Sequence, residues 1–192
     1  MAHRDRYDAM SYDLPQDERG TCRHFDWQAK VHVPIILSPL EMELTKNLSD
    51  ERVALSRAVG FKDQQVSEGN ADWRGYIGEW AVSRWLGCPP PDPATAIRNP
   101  VDLTLKDGTT IDVKSIQFRE DELCVYWDID RPCQVFVLVH VTERSPIATI
   151  IGWTARENLM VPTRKRLRPK QTREQYCMMQ YELFDIKYLR EV

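Results

Sequence analysis

The chain has 192 residues, 42% of them hydrophobic and 29% charged, which is ordinary for a soluble globular protein and enough to bury a sizeable core in one domain. A formal net charge of −3 supplies no general attraction to nucleic acid, so any such binding has to come from local patches. No run approaches the roughly 20 apolar residues that span a bilayer, and the opening MAHRDRYDAMSYD lacks the apolar centre of a signal peptide, so the expected location is the cytoplasm, away from membranes.

The five cysteines, Cys22, Cys88, Cys124, Cys133 and Cys177, are odd in number and scattered, with no CxxC pair and no histidine at metal spacing. That pattern argues against a disulfide framework and against a zinc site, and leaves free, mostly buried thiols.

Residues 1–28 are polar, charged and aromatic without periodicity and read as an irregular arm; 29–192 read as a single domain. From Lys30 to Leu37, Val31, Val33, Ile35 and Leu37 alternate to one side, an edge strand because it contains Pro34. Ser38-Pro39-Leu40-Glu41 is a capping box that opens a helix with Leu40, Leu44 and Leu48 as its apolar stripe. A second start signal at Ser49-Asp50 predicts another helix ending near Gly60, followed by a polar loop to Asn70.

Asp72 to Leu86, DWRGYIGEWAVSRWL, has helical periodicity closed by Gly87 and is apolar on nearly every face, the mark of a buried helix. Glu79 nevertheless sits in its middle. Trp73, Trp80 and Trp85 recur at helical spacing and read as core rather than as base-stacking platforms.

Pro89 to Pro100 is a Pro-rich extended connection. Beyond the hairpin described below, Leu123 to Trp127, Gln134 to Val141 and Ile147 to Gly152 read as strands, the middle one apolar enough to be central and covered on both faces, with His140 as a core histidine. Thr154-Ala155-Arg156-Glu157 is another capping box, for a short helix stopping near Val161-Pro162. A basic loop follows at 162–175, carrying Arg164, Lys165, Arg166, Arg168, Lys170 and Arg173, the natural contact for nucleic-acid phosphates. Tyr181 to Ile186 returns as a terminal strand or a packed loop. The class is α/β or α+β, with a mixed central sheet of about five strands flanked by helices.

The chemistry concentrates in Val101 to Phe118. Two alternating runs flank Lys106-Asp107-Gly108, the signal of a β-hairpin in which Gly takes the left-handed position. With those three residues as the loop, Asp102 faces Asp112, and Asp102, Asp112 and Lys114 converge on one side. With a two-residue Asp-Gly loop the aspartates point to opposite faces, so the functional reading depends on the turn. A buried Glu79 needs a cation or donor nearby, and a hard divalent ion held by oxygen ligands would answer that need. Read as a surface ion-pair set instead, Lys114 partners the aspartates and Glu79 pairs with Arg74, Arg84 or Arg98.

Pro100-Val101-Asp102, then Ile111-Asp112-Val113-Lys114, after a helix carrying Gly78-Glu79, resembles the PD-(D/E)xK nuclease superfamily, which includes restriction endonucleases, Holliday-junction resolvases and phage recombination exonucleases. The resemblance covers roughly Asp72 to Val141, with Pro two positions before Asp102 rather than one. It implies a restriction-endonuclease-like core and hydrolysis of DNA phosphodiester bonds with Mg²⁺ or Mn²⁺. Glu79, Asp102 and Asp112 would be metal ligands together with the Val113 carbonyl, and Lys114 the catalytic lysine. A non-catalytic nucleic-acid-binding or interaction module and a ribonuclease are the alternatives, and a homodimer would allow both strands of a duplex to be cut.

Overall fold

A computed structural model describes residues 31–58, 70–92, 101–118, 121–126, 133–142, 145–169 and 171–191. Among these, the strands in chain order are β1 (Val33–Ile36), β2 (Leu103–Thr104), β3 (Thr110–Ile116), β4 (Leu123–Tyr126), β5 (Val135–Val141), β6 (Ile147–Ala155), β7 (Lys165–Leu167) and β8 (Glu174–Met178). Five of them form a mixed sheet in the order β1-β6-β5-β3-β2, in which only β3 and β5 run parallel. The continuous apolar run VFVLVHV is therefore the centre of the sheet, buried at every position, while Pro34 lies on the edge strand β1, where a missing N–H costs no ladder bond.

Two helices precede the hairpin, α1 (Pro39–Ala58) and α2 (Asn70–Leu86). The capping box forms as the sequence predicts: Ser38 N–H donates to Glu41 Oε2 at 2.7 Å and Glu41 N–H to Ser38 Oγ at 3.3 Å. The second start signal does not act, and α1 runs unbroken through Ser49-Asp50, with Lys46 Nζ 2.5 Å from Asp50 Oδ1 across the expected join. Ser49 is buried on an inward stripe with Thr45, whereas Leu40 and Leu44 face solvent at 65% and 40% exposure. The stripe is polar because α2 presents indole donors to α1: Trp73 Nε1 donates to Thr45 Oγ1 at 3.1 Å and Trp80 Nε1 to Glu41 Oε1 at 3.3 Å. The three tryptophans are half-buried against the core, as expected.

The sheet separates two cores. On one face, Ile111, Val113 and the alternate valines of β5 pack against Ile77, Ala81 and Val82 of α2 and against Ile186 and Leu189 of a terminal 3₁₀ helix, Ile186–Glu191. On the other, Phe136, Leu138 and Ile151 meet Leu123, Val125 and Met178 of a second sheet, ordered β4-β8-β7, and Leu159 of the one-turn helix α3 (Arg156–Leu159). The long helices thus flank one face, and a small antiparallel sheet covers most of the other.

The two sheets correct two readings. The expected basic loop at 162–175 is a 3₁₀ turn (Pro162–Arg164), strand β7 and the start of β8. The expected capping box at Thr154 does not form either. Thr154 stays in the ladder opposite Phe136, and α3 starts only at Arg156, with Ala155 at the cap position and no side-chain cap. Tyr181 to Ile186 is a packed segment with a 3₁₀ turn (Gln180–Glu182) and a single bridge from Phe184 to Trp153. The expected N-terminal arm, most of the loop at 61–70, the end of the Pro-rich connection and Lys170 lie outside the described residues. Among the described residues no helix is long and apolar enough to cross a membrane.

Gly78 sets how close α2 lies to the sheet. A Cβ there would fall well inside van der Waals contact with Ser115 Oγ and 3.6 Å from Val113 Cγ1, both on β3. Gly78→Ala is expected to lower unfolding free energy by about 1–3 kcal/mol through overpacking, measured by denaturant titration; a variant as stable as the parent would contradict the close approach.

Candidate active site

The turn takes the three-residue form. Leu103 pairs with Ile111 and Thr104 with Thr110, and Leu105 N–H donates to Thr109 O at 2.9 Å. Gly108, at φ +91°, occupies the left-handed position and donates to Leu105 O at 3.0 Å, while Asp107 Oδ1 accepts Thr109 N–H at 2.8 Å. The pairing runs no further in this register: Val101 and Leu103, two residues apart, pack into the cores on opposite faces of the sheet, so the strand alternation breaks at Asp102.

β2 ends at that point. Asp102 N–H still donates to Ile111 O at 3.0 Å, but the next ladder donor on β3, Val113 N–H, is taken by the Asp102 carboxylate, Oδ2 accepting at 2.7 Å. The N–H and C=O of one strand residue point to the same side, so the Val113 carbonyl opens on the edge that Asp102 occupies. Asp112, fully buried, and Lys114 share the opposite face, with Lys114 Nζ 2.5 Å from Asp112 Oδ2.

Glu79 arrives from α2, 4% exposed, and Arg52 Nη1 of α1 stands 3.7 Å from its Oε1. Burial pushes the Glu79 carboxyl up to about 8; Asp102 and Asp112 push the same way, against Arg52 and Lys114. Tyr76, one turn back and fully buried, lies under the Arg52 guanidinium, 5.5 Å from its ring centre. Burial raises its hydroxyl to about 12 in spite of Arg52, with Glu79 and Asp102 adding to the rise, so it stays a neutral donor.

The structure therefore brings together Glu79, Asp102, Asp112, Val113 and Lys114, all five residues named from sequence. Arg52 and Tyr76 were missed. Glu79 pairs with neither Arg74, which donates to Gln117 Oε1 at 3.0 Å, nor Arg84, which bonds Glu41 and Ile36 O; Arg98 is outside the described residues. The signal for Arg52 was its place three residues after Ser49 on the inward stripe of α1, hidden by the more conspicuous leucines. As a donor set, three carboxylates and a backbone carbonyl are hard oxygen ligands, and the mutual repulsion recorded in Glu79 is what a bound divalent cation would relieve, so the residues present suit Mg²⁺ or Mn²⁺.

Lys114 opens on a cleft of about 370 Å³ between β3 and the second sheet, lined also by Arg74, Gln117, Phe118, Arg168 and Gln175. His140 Nε2, 3.0 Å from Gln117 O, braces the end of β3 from beneath instead of reaching the carboxylates. The basic segment behaves differently from expectation. Arg164 pairs with Glu182 at 2.9 Å, Lys165 with Glu174 at 2.9 Å and Arg166 with Glu122, so much of its charge is offset within the protein. Of the six cations named from sequence, Arg168 lines the cleft, 4.0 Å from Asp121.

The thiols are less scattered than their positions in sequence. Cys124 and Cys177 face each other across β4 and β8, with their sulfurs 2.8 Å apart, and their Sγ atoms and a Glu122 carboxylate oxygen all fall within 4.8 Å of one another. Accepting from Cys124 and lying beside Arg166, Cys177 is pulled down to about 7, while the donor Cys124 is pushed up. This grouping could hold a soft ion, but guanidiniums occupy it: Arg166 bonds Glu122 and Arg168 Nη1 lies 3.6 Å from Cys124 Sγ.

The chain matches no known protein family, no curated protein and no solved structure.

A carboxyl raised from about 4.5 to about 8 on folding binds its proton more tightly in the folded chain, so stability falls as pH climbs through that window. In EDTA, Glu79→Gln is expected to melt higher than the parent at pH 9, with the difference shrinking as pH drops from about 8 towards 4.5. Parallel melting curves across the range would remove the electrostatic account of this site.

Proposed function

We propose that the chain is a nuclease of PD-(D/E)xK type that hydrolyses DNA phosphodiester bonds with Mg²⁺ or Mn²⁺. The reading rests on one observation: next to the three-residue turn Asp102 accepts the Val113 N–H and Lys114 pairs with Asp112, and both aspartates act on the buried Glu79. A divalent ion held by Glu79, Asp102, Asp112 and the Val113 carbonyl would polarise a phosphoryl oxygen and acidify water for attack.

The remaining work falls to groups of the chain. Asp112 holds the Lys114 ammonium in place, and Lys114, with its side chain 27% exposed at the cleft, can meet a phosphate and stabilise the charge that develops as the bond breaks. Asp102, accepting an amide hydrogen from Val113, has its carboxylate held against the edge of β3. Arg52, 3.7 Å from Glu79 and stacked over the Tyr76 ring, helps to fix where the Glu79 carboxylate sits. The cleft, rather than the ion-paired basic segment, is the route by which a phosphate reaches Lys114.

Linear, circular, single-stranded and branched DNA, and RNA of matching sequence, incubated with Mg²⁺, Mn²⁺ or EDTA, provide the test. Cleavage of DNA is expected with the metals and not with EDTA, and Asp112→Asn or Lys114→Ala should each slow it at least about 100-fold while circular dichroism stays that of the parent. Undiminished activity in either variant, or cleavage in EDTA, would sink the reading; preference for RNA would move it to a ribonuclease.

A further inference from the structure

The cleft beside Lys114 has a lining that says more about the strand it receives. We infer that it takes one unpaired nucleotide of a DNA strand next to the scissile phosphate, which makes single-stranded DNA, rather than intact duplex, the form that the site engages. The inference rests on the nuclease reading for the identity of the reacting group, but its geometry is independent of that reading.

Size is the first argument. About 370 Å³ lies at the low end of the roughly 300–1,000 Å³ typical of small-ligand sites, a scale that suits a single nucleotide. Charge is the second. Arg74 comes from α2 and Arg168 from beyond β7, and the guanidinium of Arg74 is held by the neutral Gln117 amide, so its charge is left for a phosphate. The acidic groups of the cleft have cations of their own, Asp121 facing Arg168 and Glu122 bonded to Arg166.

The third argument is what a base would find. Phe118 lines the cleft with its ring 61% exposed, an apolar face left open to solvent next to polar walls. Gln175, 5% exposed, forms part of the wall beneath it, its Oε1 shut off from solvent. An open ring face is a surface that recognises a base, by stacking. A duplex hides the faces of its bases in its own stack, whereas an unpaired nucleotide presents them.

The test is fluorescence anisotropy of the full chain in EDTA, with a labelled single-stranded DNA oligonucleotide and with a blunt duplex of the same sequence. The parent is expected to bind the single strand more tightly, and Phe118→Ala and Arg74→Gln are each expected to cut that preference at least about fivefold. The Phe118 ring is exposed, so that variant should melt with the parent and report on binding alone. A parent that shows no preference for the single strand, or a Phe118→Ala protein that keeps the whole preference, overturns the inference. Neither metal nor cleavage enters the measurement, so its failure leaves the nuclease reading standing, and an inactive protein that still shows the preference would separate the two in the other direction.

Discussion

Asp102 accepts the Val113 N–H just where β2 stops pairing with β3, and much of the molecule follows from that substitution of a side chain for a strand. A full-length β2 would have covered the edge of β3 with backbone and left no room for carboxylates there. A two-residue pairing instead fixes the turn, then releases the edge, and the carboxylate that satisfies the first orphaned amide is held near enough to Glu79 to raise its carboxyl. The tight loop at Gly108 is what holds this arrangement in register, since a slip of one residue would send Asp102 to the other face.

Gathering three carboxylates in a largely buried place is costly, and the surrounding structure shows how the cost is contained. Lys114 and Arg52 supply two positive charges, one from the site strand and one from the helix behind it. The inward stripe of α1 is polar, so the helix carrying Arg52 gives up apolar burial in order to face α2 with hydroxyls and a guanidinium. Folding on its own would favour an apolar stripe.

The second sheet closes the other side of the site. It forms one wall of the cleft, and it also draws in the basic segment, whose side chains find acidic partners on β8, on the turn that follows it and near β4. A run of cations in sequence is thereby converted into a set of ion pairs that fasten the sheet, with Arg168 left at the cleft. Exposed pairs of this kind contribute little individually, so their main effect is on where the positive field lies.

What the sequence by itself determined are the features written in adjacent residues: the capping box at Ser38, the helix closed by Gly87, the apolar run that becomes β5, and the hairpin whose three-residue loop carries Gly108. Each is set by local propensity and by a period of two or 3.6 residues. The tertiary structure decided the rest: that α1 continues through Ser49, that Arg52 is the cation beside Glu79, that Cys124 meets Cys177, and that Lys165 to Leu167 joins a sheet. These depend on partners distant in sequence. Polar residues such as Thr45, Ser49 and Arg52 become buried only because the indole and carboxylate of another helix need them, and a three-residue strand as charged as Lys165-Arg166-Leu167 has no pattern of its own until β8 lies beside it.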